Sequence, residues 1–264
     1  MLADVKRVIA ERPAGTRLLF LSDYDGTLAD FDPDPTIPRP VPRTAEFLSK
    51  LAARTDLSFG IVSGRRVSDL RTRTQLPSRV YLAGLHGMEI EVGSRRWQHP
   101  DLDNARQHVR LLYERLDEVH DVVEGLVLED KHASVAIHVR AVAPDLRAAA
   151  VARADRCAEE WLAAGKLRRL TGSHVVEYLP NIAAHKGDAT QWIVEDVQER
   201  CSLPVWTVFI GDDLTDEDAF KAIKIGVGVL VGSRETNATH SVADTSEVAA
   251  LLEWLTVSAV PSTT

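Results

Sequence analysis

Apolar residues along the chain fall into two patterns. Short continuous runs, "RLLFLSD", "LSFGIVSG" and "RVYLAGLHG", each end in a polar or glycine-containing turn, and "VWTVFIGDD" and "KIGVGVLVG" repeat the style much later. Between the early runs lie segments of helical period, such as "VPRTAEFLSKLAAR". Continuous apolar strands alternating with helices predict a parallel sheet covered on both faces. In such sheets the functional site lies at the carboxyl ends of the strands.

The middle of the chain has a different rhythm. "DLDNARQHVRLLYERLDEVH" sets Val109, Leu112, Leu116 and Val119 on one helical stripe. "VVEGLVLEDKHASVAIHVR" predicts two strands joined near Asp130, with Ser134, His138 and Arg140 on one face of the second and Val135, Ile137 and Val139 on the other. "PDLRAAAVARADRCAEEWLAAG" is a second helix, with Pro144 suited to its start and Gly165 to its end. "KLRRLTGSHVVEYLP" is a second hairpin turning at Gly172-Ser173. The order helix, two strands, helix, two strands is a small α+β unit. It interrupts the α/β pattern, so the expected organisation is a core of residues 1–96 and 181–264 with an inserted domain at 97–180.

Composition narrows the class. The chain has 264 residues, 45% of them hydrophobic, which suffices for a sizeable core. A formal net charge of -8 argues against a sequence-independent grip on nucleic acid. Cys157 and Cys201 lie far apart without metal-ligand spacing, which suggests a reducing compartment. No apolar run approaches the length of a membrane span. The opening "MLADVKRVIAERPAG" reads as a short helix and not as a signal peptide. A cytoplasmic protein is expected, with a tail, "VSAVPSTT", that frays.

The chemistry concentrates where apolar runs stop. In "LLFLSDYDGTLADF" a buried strand ends in Asp23 and Asp25, and Gly26 permits a sharp turn. An isolated D-x-D-G is commonly a plain turn. Crowded carboxylates also repel, and a divalent cation relieves the repulsion. One carboxylate then suits a nucleophile and the other a general acid and base. In "IGDDLTDEDAF", Asp212 and Asp213 follow an apolar run directly, so a second acidic pair sits at a strand end. Glu217 and Asp218 are assigned to the first turn of a helix, where they favour its macrodipole. "IVSGR" supplies Ser63 and Gly64, a hydroxyl and accessible backbone N–H groups. Lys186 in "HKGDATQWIVEDV" stands at a helix start, either as a solvated charge or as a neutraliser of phosphoryl oxygens.

"DYDGTL", "VSGR", "KG" and "GDDLTDEDAF", in this order, resemble the four motifs of the haloacid dehalogenase superfamily of phosphohydrolases. More narrowly, "GLHGME", "LEDKHASVAIHVR", "HVVEYLP" and "GDDLTDEDAF" are similar to trehalose-6-phosphate phosphatases. The resemblance implies an α/β fold, a Rossmann-like core with a parallel sheet plus an inserted α+β cap of the C2 type. It implies that Asp23 attacks phosphorus to form an aspartyl-phosphate, and that Asp25 protonates the leaving oxygen and then activates water. Mg²⁺ would bind the Asp23 carboxylate, the Asp25 carbonyl and Asp212, with Asp213 close by; Asp216 would orient these ligands. Ser63 and Lys186 would hold phosphoryl oxygens. Glu129, Lys131 and Glu177 would contact the sugar, with Arg65 and His86 either reaching substrate or bracing their loops. The implied partners are a small sugar phosphate and, functionally, a separate trehalose-phosphate synthase. Alternatives are the same chemistry on sucrose, glucosylglycerol or glucosylglycerate phosphate, a mutase, or a non-catalytic sugar-phosphate sensor.

Overall fold

The computed structural model describes residues 2–30, 42–131 and 133–258. The tail expected to fray falls largely on 259–264, outside the described residues. The chain divides into two compact units, residues 1–98 with 184–264, and residues 99–183.

The first unit carries strands β1 (Arg17–Ser22), β2 (Leu57–Val62), β3 (Tyr81–Gly84), β4 (Glu89–Val92) and β5 (Arg95–Gln98). After the second unit come β10 (Val205–Gly211), β11 (Gly226–Val231) and β12 (His240–Val242). The sheet order is β12-β11-β10-β1-β2-β3-β4-β5. From β12 to β3 every pairing is parallel. The β3-β4 and β4-β5 pairings are antiparallel, so a hairpin extends the expected parallel sheet at one edge. The reason is local: "EIEVGSRRWQ" turns tightly at Gly93, whose φ is +62°. Pairing of Trp97 with Ile90 and Gln98 with Glu89 keeps these residues in the first unit.

β1 shows why its sequence is an unbroken apolar run. Leu18 and Phe20 face one way, into a core shared with α1 (Leu2–Ala10), α2 (Pro42–Ala53) and α8 (Thr245–Val257). Leu19 and Leu21 face the other, against α6 (Lys186–Cys201) and α7 (Glu217–Ala222). Two-sided burial leaves only strand ends and loops for polar chemistry.

The second unit packs α4 (Leu102–His120) and α5 (Arg147–Ala163) on one face of a four-stranded antiparallel sheet. Its strands are β6 (Val127–Asp130), β7 (Val135–His138), β8 (Leu167–Gly172) and β9 (Val175–Pro180), in the order β6-β7-β9-β8. The predicted α4 stripe, Val109, Leu112, Leu116 and Val119, is buried against Val135, Ile137 and Val176. The opposite sheet face carries Glu129, Ala136 and Glu177, side by side in register. Among the described residues no helix is long and apolar enough to cross a membrane.

Because both faces of β1 are covered, Leu19→Ala and Phe20→Ala should each destabilise the protein, by about 2–5 and 3–5 kcal/mol respectively. Urea denaturation of the two variants checks this. A wild-type midpoint for either one would mean that its face is not packed.

Candidate active site

β1 and β10 are neighbours in the sheet, and the Asp23 N–H extends their ladder by donating to the Ile210 carbonyl at 2.8 Å. The ends of the two strands therefore deliver Asp23 and Asp212 to one place. Gly26 is required there twice over. Its φ is +78°, and a Cβ at this position would lie 2.3 Å from a carboxylate oxygen of Asp212. Thr27 Oγ1 donates to Asp212 Oδ1 at 3.0 Å and sets that side chain's orientation. A short 3₁₀ turn, Leu214–Asp216, then returns Asp216 beneath the strand end. A Cβ on Gly211 would collide with its carboxylate.

Asp23, Asp212 and Asp216 offer carboxylate oxygens within 4.8 Å of one another. Lys186 enters from the first residue of α6. Its Nζ lies 2.9 Å from Asp23 Oδ1 and 2.7 Å from Asp216 Oδ1, and all three side chains are buried. The helix start is held by a reciprocal cap: His185 Nδ1 accepts from the Asp188 N–H, and Asp188 Oδ2 accepts from the His185 N–H. Lys186 is thus not the solvated lysine that its sequence context allowed.

One ammonium cannot balance three carboxylates. Burial pushes the Asp23 carboxyl well above its ordinary range; Lys186 opposes the shift, and Asp216 and Asp212 reinforce it. Burial, with Asp216 and Asp213 beside it, pushes Asp212 up to about 6 despite the Thr27 hydrogen bond and the charge of Lys186. Burial alone would depress Lys186, but Asp216 and Asp23 outweigh it and hold the ammonium form. A buried excess of hard oxygen donors fits a divalent cation. Asp23 and Asp212 are the carboxylates best placed to hold one, because Asp216 Oδ1 binds Lys186 and its Oδ2 accepts the Asp213 N–H at 2.9 Å.

Asp213 does not join the trio. It is exposed, and its Oδ2 accepts from Thr215 Oγ1 at 3.1 Å. Adjacent residues leaving a strand diverge, and the 3₁₀ turn substitutes Asp216 for the immediate neighbour. The Asp25 carboxylate also stands apart from the trio. It receives Nε and Nη2 of Arg65, both at 2.6 Å, while Arg65 Nη1 donates to Asp69 at 3.1 Å. Ser63 is buried, and its Oγ accepts the Arg65 N–H at 3.2 Å. His86, with φ of +57°, lays its ring against Gly64, and its N–H donates to the Ser63 carbonyl. Arg65 and His86 accordingly brace the loops here.

In the second unit Glu129, Lys131 and Glu177 are brought together on the polar sheet face. Lys131 Nζ lies 3.0 Å from Glu177 and 4.0 Å from Glu129. Ser134 Oγ donates to Glu177 at 2.5 Å, and His138 Nε2 lies 2.9 Å from Glu129 Oε2. Burial resists ionisation of Glu129, but the hydrogen bond from His138 and the charge of Lys131 prevail and leave its pKa low. Alternation placed Ser134 and His138 on one face; only the register across β6, β7 and β9 shows which glutamates they meet. Arg140 lies beyond β7 and is exposed, its carbonyl accepting from Arg147.

Sequence reasoning missed one device. Glu217, assigned above to the helix macrodipole, accepts from Thr236 Oγ1, the Asn237 N–H and Asn237 Nδ2 at 2.7–2.8 Å, and pairs with Arg234. Arg234 in turn donates to the carbonyls of Asp212 at 3.2 Å and Asp213 at 2.7 Å. The backbone under the acidic trio is therefore tied to a distant loop, and no local pattern announces this.

Burial resists ionisation of Glu217, but these donors draw its pKa down from 4.5 to about 2. A carboxyl with a depressed folded-state pKa stabilises the fold above its unfolded pKa. That stability is lost as pH falls from about 4.5 toward 2. Glu217→Gln should therefore flatten the acid limb of stability in this window while lowering stability at neutral pH. Fluorescence-monitored unfolding against pH reads both effects, and an unchanged acid limb would remove Glu217 as its source.

A family model described as trehalose-phosphatase matches residues 21–249. A trehalose-phosphate phosphatase of Mycobacterium avium is 34% identical over 258 residues, covering 93% of this chain and 64% of that protein. The chain thus spans less than two thirds of that relative's length. Among solved structures, the C-terminal domain of the Candida albicans trehalose-6-phosphate phosphatase matches with TM-score 0.76 and 22% identity, covering 97% of this chain and 96% of that one. A trehalose-6-phosphate phosphatase related protein matches with TM-score 0.78 and 22% identity, covering 90% and 96%. These likenesses carry the fold, a mostly parallel α/β sheet, while the family match spans both strand ends of the acidic trio. By that match the chain belongs to the trehalose-phosphatase family.

Proposed function

We propose that this chain hydrolyses trehalose 6-phosphate to trehalose and phosphate through an aspartyl-phosphate on Asp23. The observation that carries the reading is the buried Asp23 carboxylate held by Lys186 beside Asp212. The placement suits an oxygen nucleophile whose charge is screened as it approaches an anionic phosphoryl group. Residues 1–98 with 184–264 act as the hydrolase core, and residues 99–183 as the substrate-selecting cap.

Asp23 attacks phosphorus. Lys186 and the Ser63 hydroxyl take the phosphoryl oxygens, an ammonium and a hydrogen-bond donor offsetting the negative charge brought beside the trio. Asp25 delivers a proton to the leaving sugar oxygen and then takes one from the water that cleaves the intermediate. It does so only once Arg65 no longer holds both of its oxygens. Substrate oxygens compete for that guanidinium, so Arg65 passes from brace to substrate contact. Mg²⁺ held by Asp23, Asp212 and the Asp25 carbonyl, with Asp213 nearby, would supply further charge neutralisation at the phosphoryl group. Glu129, Lys131 and Glu177 bind sugar hydroxyls, which donate and accept hydrogen bonds and so match paired carboxylates and an amine. The substrate is supplied by a glycosyl transfer onto a sugar phosphate, the role of a separate trehalose-phosphate synthase. Free Cys157 and Cys201 suit the reducing cytoplasm.

Phosphate release from a panel of sugar phosphates, with Mg²⁺ and with chelator, tests the reading. Trehalose 6-phosphate should lead the panel, activity should vanish with chelator, and folded Asp23→Asn should release no phosphate. Preference for sucrose or glucosylglycerol phosphate would reassign the substrate. Turnover by Asp23→Asn would remove Asp23 as nucleophile.

Glu129→Ala and Glu177→Ala isolate sugar recognition. Each loses a charge-assisted hydrogen bond of roughly 1.5–3 kcal/mol, so kcat/KM for trehalose 6-phosphate should fall about one to two decades. Hydrolysis of a small aryl phosphate, which offers no sugar hydroxyls, should persist. Equal losses on both substrates would assign these residues to folding instead.

A further inference from the structure

β1 begins at Arg17 and ends at Ser22, so its two ends are about 17 Å apart at roughly 3.3 Å per residue. At the end away from Asp23, the first unit holds a cavity of about 330 Å³. That volume lies within the roughly 300–1,000 Å³ range of small-molecule sites. Four arginines line it, Arg17, Arg54, Arg79 and Arg200, together with the hydroxyl residues Thr55, Ser58 and Tyr81; among the described residues no aspartate or glutamate does.

Two of the four cations are matched. Arg54 pairs with Asp56, and Arg200 with Asp196. The other two are not. Arg17 donates to the Ser58 hydroxyl at 3.2 Å and to the carbonyls of Thr55 and Leu57 at 2.7 Å, all neutral acceptors. Arg79 donates from Nη2 to the Ala52 carbonyl in the last turn of α2. Among the described residues neither guanidinium lies within ion-pair reach of a carboxylate.

The ordinary role of such arginines is to satisfy carbonyls at the ends of helices and strands. That role accounts for the Arg79–Ala52 bond and for part of Arg17. It does not account for the charge. A guanidinium has five N–H donors, and those left over on Arg17 and Arg79 belong to cations at one concave surface. Burial lowers the pKa of Arg17, with Cys201, Asp56 and Tyr81 opposing the shift.

We propose that this cavity is a second ligand site, binding a small phosphoryl-bearing anion at Arg17 and Arg79. Planar guanidinium forks match phosphoryl oxygens two at a time, and the volume leaves room for more than one phosphoryl group or for an attached small group. The site is separate from the acidic trio, which would repel the same anion in the absence of a divalent cation. It belongs wholly to the first unit and needs no part of the sugar-selecting residues.

Titration calorimetry with inorganic pyrophosphate, in chelator and without divalent cations, tests the proposal. Wild type and Asp23→Asn should bind alike. Arg79→Ala should bind at least ten-fold more weakly and Arg79→Glu not at all, both folded and with wild-type phosphatase turnover, since Arg79 is exposed and gives up one bond to the Ala52 carbonyl. A parallel titration with glucose 6-phosphate identifies the source: tighter binding than pyrophosphate marks a sugar phosphate, weaker binding a diphosphate. No heat from either anion at millimolar concentration would overturn the site. So would undiminished affinity in Arg79→Ala, or loss of binding in Asp23→Asn, which would place the anion at the acidic trio.

Discussion

A buried surplus of carboxylates around one ammonium governs the architecture of the first unit. Asp23 and Asp216 are buried and Asp212 is half-buried beside them, and among the described residues Lys186 is the cation paired with the trio. An unpaired buried charge is heavily destabilising, so every element that meets there must deliver its group accurately. β1 and β10 are adjacent and in register for this reason, and α6 starts at the lysine with both capping bonds made. Gly26 and Gly211 stand where any Cβ would strike an aspartate.

The same imbalance makes the cluster useful. A site short of positive charge suits a divalent cation, whose charge would offset the repulsion among the carboxylates. The surrounding arginines keep the acids in place without cancelling them. Arg65 holds Asp25 away from the trio, and Arg234 holds the backbone of Asp212 and Asp213 while Glu217 balances its charge. Arg65 pairs with Asp25 and Arg234 with Glu217, neither with a carboxylate of the trio, so the trio keeps its negative excess.

The second unit applies the opposite strategy. Its polar sheet face is internally paired, Glu129 with His138 and Glu177 with Lys131 and Ser134. A ligand entering this face would have to replace those partners with hydrogen-bonding groups of its own. A ligand lacking the right hydroxyl would leave a carboxylate unsatisfied, which is a stronger basis for discrimination than apolar fit. The polar groups of this face are thus held in place by one another.

Much of this was legible along the chain. Unbroken apolar runs can only belong to strands buried on both faces, and the α4 stripe can only face a core, so the α/β class and the distinct middle region followed from periodicity. Asp23, Asp212, Ser63 and Lys186 were visible because polar groups directly after such runs must sit at strand or helix ends. What periodicity cannot carry is which distant residue a side chain meets. Asp216 in place of Asp213 depended on a 3₁₀ turn, and the Arg65–Asp25 pair spans 40 residues. The antiparallel hairpin β4-β5, the Glu217–Arg234 clamp and the meeting of Lys131 with Glu177, 46 residues away, are likewise contacts of register and packing. A residue's neighbours in sequence determine the face it occupies; only the folded chain determines the partner opposite, because that choice is made by the packing of elements far apart along the backbone.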